Sequence, residues 1–378
     1  MVAAEDGFLY PELDKENCVQ CFACENVCPV LHPIILKDNK TEPDVYACWN
    51  RQKNVREASS SGGAFSALAM SVINLGGYVA GASYDEDMSV KHYLCNSLED
   101  LTRLRGSKYV QSDTSLIYKE VKDKLKDGRI VLFVGTPCQV AAIRSFLKKN
   151  YENFYCCDFI CHGTPSPLLF KKYLHWVEDK KEIKIKHFNF RHKRSGWYDA
   201  LRVANNDCYM KGDLDAYFYG FNCNVSLRES CYRCPAIGMP RKGDITIADY
   251  WGIGMKYKFN RPDEIPNGVS LVMENNEKGA KLFEMAKPYL YWQRGHFDEA
   301  LSRNQPMVKA SCRPQSRDTF YLDMVKLDFD ELRNKYLKIK GKARLIAFFR
   351  ENAPRKLVTG LRKIVQIITW KRNGSKTL

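Results

Sequence analysis

The 378-residue chain is 45% hydrophobic and 27% charged, the make-up of a folded protein with room for one large domain or two ordinary ones. Its formal charge of +15 is concentrated after residue 334, where thirteen lysines or arginines face a single acid, Glu351, so a basic nucleic-acid platform is excluded for the main body. Fifteen cysteines, no basic-then-apolar opening and no bilayer-spanning apolar run exclude an exported disulfide framework; reduced thiols and metal ligands in a cytoplasmic protein are expected.

The chemistry begins in the run CVQCFACENVCP. Cys18, Cys21, Cys24 and Cys28, followed by Pro29, have the spacing of a bacterial ferredoxin's cluster loop. Two-residue gaps let one short loop wrap successive thiolates around the corners of a cubane, and the proline turns the chain away. Zinc sites more often use two distant C-x-x-C pairs, and disulfide frameworks rarely crowd four cysteines into eleven residues. Residues 1–40 therefore read as a ferredoxin-type segment holding a 4Fe-4S cluster.

Residues 45–275 alternate strand and helix signals, the pattern of an α/β (mixed α+β) domain. A loop of Ser59, Ser60, Ser61, Gly62 and Gly63 opens an apolar helix over 64–75, which Gly76 and Gly77 stop. A short strand is expected over 78–82, a helix over 114–126 and a buried strand over 129–135. After the loop TPCQ come a helix over 140–149, a second buried strand over 154–160, the loop CHGTPSP and a helix over 168–178. That order predicts a parallel strand pair with a right-handed crossover, and such units build sites beyond the carboxyl ends of their strands. Cys138 and Cys161 each follow a strand and precede a helix, so both should emerge at one sheet edge. With Cys231 and Cys234 from SCYRCP they could complete a second cubane. The residues alone leave a second reading open, in which Cys138 and Cys161 are small buried apolar groups.

A mostly helical region is expected over 276–340, followed by a basic tail over 341–378. In the tail Leu357, Leu361, Ile364, Val365 and Ile368 recur at helical spacing among Lys356, Arg362, Lys363, Lys371 and Arg372. This pattern fits an amphipathic helix on an anionic membrane surface, or equally a helix packed on the domain with its charges solvated.

The blocks SSSGGAFSALA, LRGSKYVQS, VLFVGTPCQVAAI, DFICHGTPSP, FRHKRSGW and SCYRCP…GDITIADYWG, in that order, resemble the coenzyme F(420) hydrogenase/dehydrogenase β-subunit family, closest to its bacterial polysaccharide-locus branch. The resemblance implies an iron–sulfur flavoprotein oxidoreductase, fed by ferredoxin or a partner subunit, in which FAD exchanges electrons with 4Fe-4S clusters. It also implies Cys138, Cys161, Cys231 and Cys234 as ligands of a second cluster, leaving Cys95, Cys156, Cys157, Cys208, Cys223 and Cys312 mostly to core packing. Ser60, Ser61, Gly62 and Gly63 are the candidates for the flavin pyrophosphate, because a helix start offers free N–H groups and a positive dipole end; a plain helix cap would use the same residues. Lys108 and Gln111 would be polar partners. Arg191, Lys193 and Trp197 would line the substrate side or form a solvated turn. No side chain is identified as the chemical centre; His162, beside Cys161, is the candidate general acid. A non-catalytic electron-transfer subunit and a redox-silent scaffold of a glycan-assembly complex are the competing functions.

Bacterial members of that branch commonly resemble two-cluster ferredoxins with two cysteine runs, whereas one run is present here. In such ferredoxins the fourth cysteine of a run serves the other cluster. Cys28 is expected to ligate the local cluster instead, since its spacing needs no long-range docking. Cys48, or a start upstream of Met1, is the alternative.

Overall fold

A computed structural model describes residues 1–198 and 200–338. In chain order its strands are β1 (Val2–Ala3), β2 (Leu9–Tyr10), β3 (Asp44–Asn50), β4 (Tyr78–Tyr84), β5 (Val90–Cys95), β6 (Val131–Gly135) and β7 (Phe154–Phe159). They continue with β8 (Phe188–His192), β9 (Leu201–Ala204), β10 (Cys208–Met210), β11 (Ile245–Asp249), β12 (Ser270–Glu274) and β13 (Leu290–Arg294). A mixed eight-stranded sheet in the order β13-β3-β12-β11-β7-β6-β4-β5 organises the chain, with β8, β9 and β10 in a smaller sheet and β1 and β2 in a hairpin.

The predicted strand pair is real. β6 and β7 are parallel, with Val134 opposite Cys157 and Gly135 opposite Asp158. β4 and β11 extend the parallel centre on either side, and antiparallel strands close both edges. Every residue of β6 is buried because helices cover both faces. Leu132, Val134 and Cys157 pack under the helices Ala64–Ile73 and Glu277–Ala286. Val131, Phe133 and Cys156 pack under Ile117–Lys126 and Pro137–Leu147. Adjacent cysteines thus serve opposite cores, as the period of two along a strand requires.

Most expected bounds shift by a few residues, and two differences have a local reason. The helix predicted from 140 begins at Pro137, because TPCQ is its cap: Gln139 N–H donates to Thr136 Oγ1 at 3.4 Å and Thr136 N–H to Gln139 Oε1 at 2.9 Å. The stretch 276–340, expected to be mostly helical, also supplies an edge strand. β13 pairs antiparallel with β3 from Leu290 opposite Asn50 to Arg294 opposite Tyr46. A five-residue aromatic run at a sheet edge is too short for periodicity to distinguish from a helical turn.

The helices Pro167–Lys181, Arg317–Lys326 and Phe329–Leu332 pack with β8 and with Phe8 in a further core. Among the described residues no helix is long and apolar enough to cross a membrane. The basic tail over 341–378 lies outside the described residues.

Candidate functional site

The carboxyl ends of the parallel strands open into a cleft of about 510 Å³. Ser60, Ser61 and Gly63 line it from the loop before the helix Ala64–Ile73 and Cys161 and His162 from the loop after β7, and Lys108 and Arg191 also border it. A larger depression of about 750 Å³ lies at the amino ends of β7 and β11, bordered by Arg144, Lys149, Asp244 and Lys278. It carries no cysteine, and its charges are of both signs. The chemistry-bearing loops converge on the smaller cleft.

The Ser-Gly loop is held from several directions. Gly62 sits so close to the sheet that a Cβ there would lie 2.4 Å from the Cys48 carbonyl and 2.6 Å from the Ser270 nitrogen. Its N–H donates to Ser270 Oγ at 2.9 Å, so Gly62 brings the loop down onto β3 and β12 and does not line the cleft. Gly63 is the helix N-cap at φ +93°, a backbone that glycine alone adopts without strain, and it brings no capping side chain of its own. Ser270 Oγ also takes the Ala64 N–H at 3.4 Å. Ser60 Oγ accepts from the Ser107 N–H at 2.8 Å, and Ser61 Oγ donates to the Val269 carbonyl at 3.0 Å. A helix start whose N-cap carries no side chain, facing a cleft, suits a phosphate group.

Three polar candidates are engaged by the protein's own backbone. Lys193 Nζ donates to the carbonyls of Ser61 at 2.7 Å, Asn267 at 3.0 Å and Arg56, fixing the loop from behind. Lys108 Nζ donates to the carbonyls of Arg103, Leu104 and Arg105 at 3.0–3.1 Å. Burial lowers both ammonium groups to about 7, with Arg56 adding to the effect on Lys193. Gln111 stands away from the cleft: its Oε1 accepts the Leu9 N–H at 2.7 Å and its Nε2 donates to the Leu9 carbonyl at 3.0 Å, tying down the amino-terminal hairpin.

Trp197 is fully buried behind the wall and stacks on Trp251, ring centroids 4.7 Å apart and planes 8° apart. Its Nε1–H donates to Asp249 Oδ1 at 2.6 Å, and Asp249 Oδ2 accepts from Arg191 Nη2 at 3.3 Å. Arg191, Asp249 and Trp251 face the cleft. The sequence does not single out Asp249 and Trp251, although both lie in the quoted block ADYWG; only the stack on a distant tryptophan reveals their place. Trp197→Ala is expected to destabilise the fold by about 3–5 kcal/mol and Trp197→Phe by clearly less, both measured by denaturant unfolding.

Buried polar atoms without partners also collect here. His92 Nδ1, His162 Nε2 and Arg191 Nε, all on lining residues, make no hydrogen bond. Burial lowers the His162 imidazole and favours its neutral form, and the ring stands edge-on to Phe221 at 4.9 Å. Buried polar groups are normally satisfied, so three orphans around one cavity fit a polar ligand.

Cys138, in the first turn of Pro137–Leu147, lies 3.0 Å from Thr136 Oγ1. Cys161 follows β7, Cys231 lies in the 3-10 turn Glu229–Arg233, and Cys234 caps that turn. Burial pushes the Cys161 thiol well up, and Cys138, Cys231 and Cys234 push it further. Cys231 is pushed up to about 12 by burial first, with Cys138 and Cys234 adding to the rise. Four thiols from three loops thus stand within one another's electrostatic reach, where bound cationic metal would relieve both burial and mutual repulsion. Among the described residues no three His, Cys, Asp or Glu side chains converge tightly enough for a single ion. Four cysteine thiols are the donor set that a 4Fe-4S group takes at its corners.

In the amino-terminal run Cys21 and Cys24 are exposed and Cys18 and Cys28 half-buried. Gln20 and Phe22, at φ +53° and +54°, bend the chain between successive cysteines, as wrapping a cubane requires. Cys48, the alternative fourth ligand, is wholly enclosed in β3, in the core cluster of Ala64 and Leu68, whereas Cys28 stays half-buried in the run itself. Of the six cysteines left to packing, Cys95, Cys156 and Cys157 are buried, Cys208 is half-buried, and Cys223 and Cys312 are exposed.

Residues 128–297 match the family model for the carboxyl-terminal part of the coenzyme F(420) hydrogenase/dehydrogenase β-subunit. Among solved structures, a chain of the F(420)-reducing NiFe hydrogenase complex from Methanosarcina barkeri aligns at 15% identity with a TM-score of 0.48, covering 74% of this chain and 99% of that one. No curated protein matches.

Proposed function

From the match of residues 128–297 to the coenzyme F(420) hydrogenase/dehydrogenase β-subunit family, we propose that the chain is an iron–sulfur flavoprotein oxidoreductase of that family. Electrons from ferredoxin or a partner subunit would pass through 4Fe-4S clusters to FAD and a substrate, in the cytoplasm and in the service of polysaccharide biosynthesis. The observation that carries this reading is one cleft bordered both by Cys161 and by the helix start behind Ser60, Ser61 and Gly63, whose N-cap bears no side chain. Flavin suits the junction because it converts one-electron input into two-electron chemistry.

The protein's own part is positioning. The Ser-Gly loop, braced by Lys193 and Ser107, receives the pyrophosphate, and the Arg191–Asp249–Trp251 wall orients what lies in the cleft. His162, kept neutral by burial, can hold or release a proton at Nε2. At the other end, exposed Val19, Phe22, Val30, Leu31 and Ile35 surround the amino-terminal cysteines, an apolar rim suited to a docked redox partner.

Anaerobic purification with iron, sulfide, zinc and flavin quantified together tests the proposal. Iron, sulfide and a yellow chromophore are expected; zinc alone, or a colourless protein after reconstitution, overturns it. The basic tail is proposed to rest on an anionic membrane surface. The full chain should float with anionic vesicles and a chain truncated after Lys338 should not; equal behaviour ends that part of the proposal.

A further inference from the structure

A buried polar node joins three of the four segments that carry the candidate ligand cysteines, all but that of Cys138. Arg241 is 1% exposed and Asp158 is wholly enclosed. Arg241 Nη2 lies 3.4 Å from Asp158 Oδ1 and donates to the Phe159 carbonyl at 3.3 Å. Asp158 also accepts from the N–H groups of Lys242 and Gly243, both at 3.1 Å, and from Thr246 Oγ1. Asn39 Nδ2 in turn donates to the Arg241 carbonyl at 2.7 Å and the Gly243 carbonyl at 2.9 Å. The node therefore grips the chain after Cys28, the chain just before Cys161 and the chain just after Cys234.

A structural strap would not need a cation there. Taking a guanidinium out of water is expensive, and Arg241 Nε is left buried with no partner at all. Its charge also stands close to the ligand loop: the Phe159 carbonyl that it holds belongs to the second residue before Cys161. In a medium of low dielectric a fixed positive charge favours whichever state of its neighbour is more negative. For a thiolate-bound cluster that is the reduced state.

We propose that Arg241 is a positioning residue that raises the reduction potential of the cluster held by Cys138, Cys161, Cys231 and Cys234, biasing electrons from the amino-terminal cluster toward the cleft. This rests on the reading of those four cysteines as ligands. Asp158 holds the guanidinium in place and tempers its charge.

The test uses the full chain, purified anaerobically as wild type, Arg241→Met, Arg241→Lys and Asp158→Asn. Iron is counted per chain, and each cluster's potential is read by stepwise reductive titration with EPR detection. Arg241→Met is expected to keep its iron while one cluster reduces about tenfold less readily, about 59 mV lower for a one-electron couple, and the other does not move. Arg241→Lys should recover most of that shift, and Asp158→Asn, which uncovers the cation, should shift the same cluster upward. Unchanged potentials in Arg241→Met, equal shifts of both clusters, or iron loss from Met and Lys variants alike overturn the proposal. If Arg241→Met does not fold, the absence of an upward shift in Asp158→Asn overturns it. A wild-type chain with fewer than two clusters overturns the ligand assignment instead, a distinguishable failure.

Discussion

Exchanging Cys234 for serine should remove about four of the chain's eight or so iron ions and leave its flavin in place. The thiol caps the turn Glu229–Arg233 and makes no core contact that serine could not replace, so the fold should survive. What serine cannot supply is a soft anionic sulfur among three others. Burial already raises the Cys234, Cys231 and Cys161 thiols, and only bound metal makes their deprotonation favourable together. Cys138→Ser and Cys161→Ser should show the same stepwise loss. Cys156→Ser is the internal control: that thiol is wholly enclosed between β7 and the helix Pro137–Leu147. A buried unpaired hydroxyl there should cost about 1–3 kcal/mol of stability with no iron lost. Iron and sulfide per chain, read beside flavin absorbance, decide the matter. Full iron content in Cys234→Ser would mean that these four thiols do not share a cluster. In the amino-terminal run, Cys28→Ser with an unchanged cluster content would likewise remove Cys28 from the ligand set.

That Cys138 and Cys161 emerge at one sheet edge was legible because it follows from local rules, whereas adding Cys231 and Cys234 rested on the family resemblance. Two apolar strand runs separated by one helix pair in parallel, and residues after their carboxyl ends share an edge whatever else the chain does. The roles of Gln111 and Lys193 were not legible, and the reason is physical. Each spends its polar atoms on carbonyls or N–H groups about a hundred residues away, Gln111 on Leu9 and Lys193 on Arg56 and Ser61. A side chain that braces a loop and one that touches a ligand have the same composition and local spacing. Gly62 shows the same ambiguity: its missing Cβ makes room for the Cys48 carbonyl rather than for a phosphate. Trp251 and Asp249 show the opposite case. They sit in a stretch that reads as strand and turn, and only the stack on Trp197 and the pairing with Arg191 turn them into a wall. TPCQ was legible in principle, since Thr136 and Gln139 have the spacing of a capping box, and reading it as one places Cys138 on the helix instead of in the loop.

Ser60→Asp separates a loop that merely caps a helix from one that receives a dianionic group. Ser60 Oγ is an acceptor for the Ser107 N–H at 2.8 Å, and a carboxylate oxygen can accept that bond as well, so the loop should stay tied. The new charge would sit beside the start of the helix Ala64–Ile73, where a carboxylate is itself favoured by the dipole. If the loop were only a cap, the substitution would therefore be neutral or mildly stabilising. If a pyrophosphate binds there, like charges meet in a partly enclosed cleft, which costs several kcal/mol in a desolvated contact. FAD affinity is expected to fall about 100-fold, or about 2.8 kcal/mol, with iron content and unfolding midpoint nearly unchanged. Ser60→Ala should lose only the two bonds from the Ser107 N–H and Oγ and weaken FAD by about fivefold, which corresponds to about 1 kcal/mol. Titration of FAD into flavin-depleted protein, followed by fluorescence quenching, gives both affinities. Because the two readings predict opposite responses to one added charge, equal FAD affinity in Ser60→Asp and wild type would remove the pyrophosphate from this loop while leaving the cluster assignment untouched.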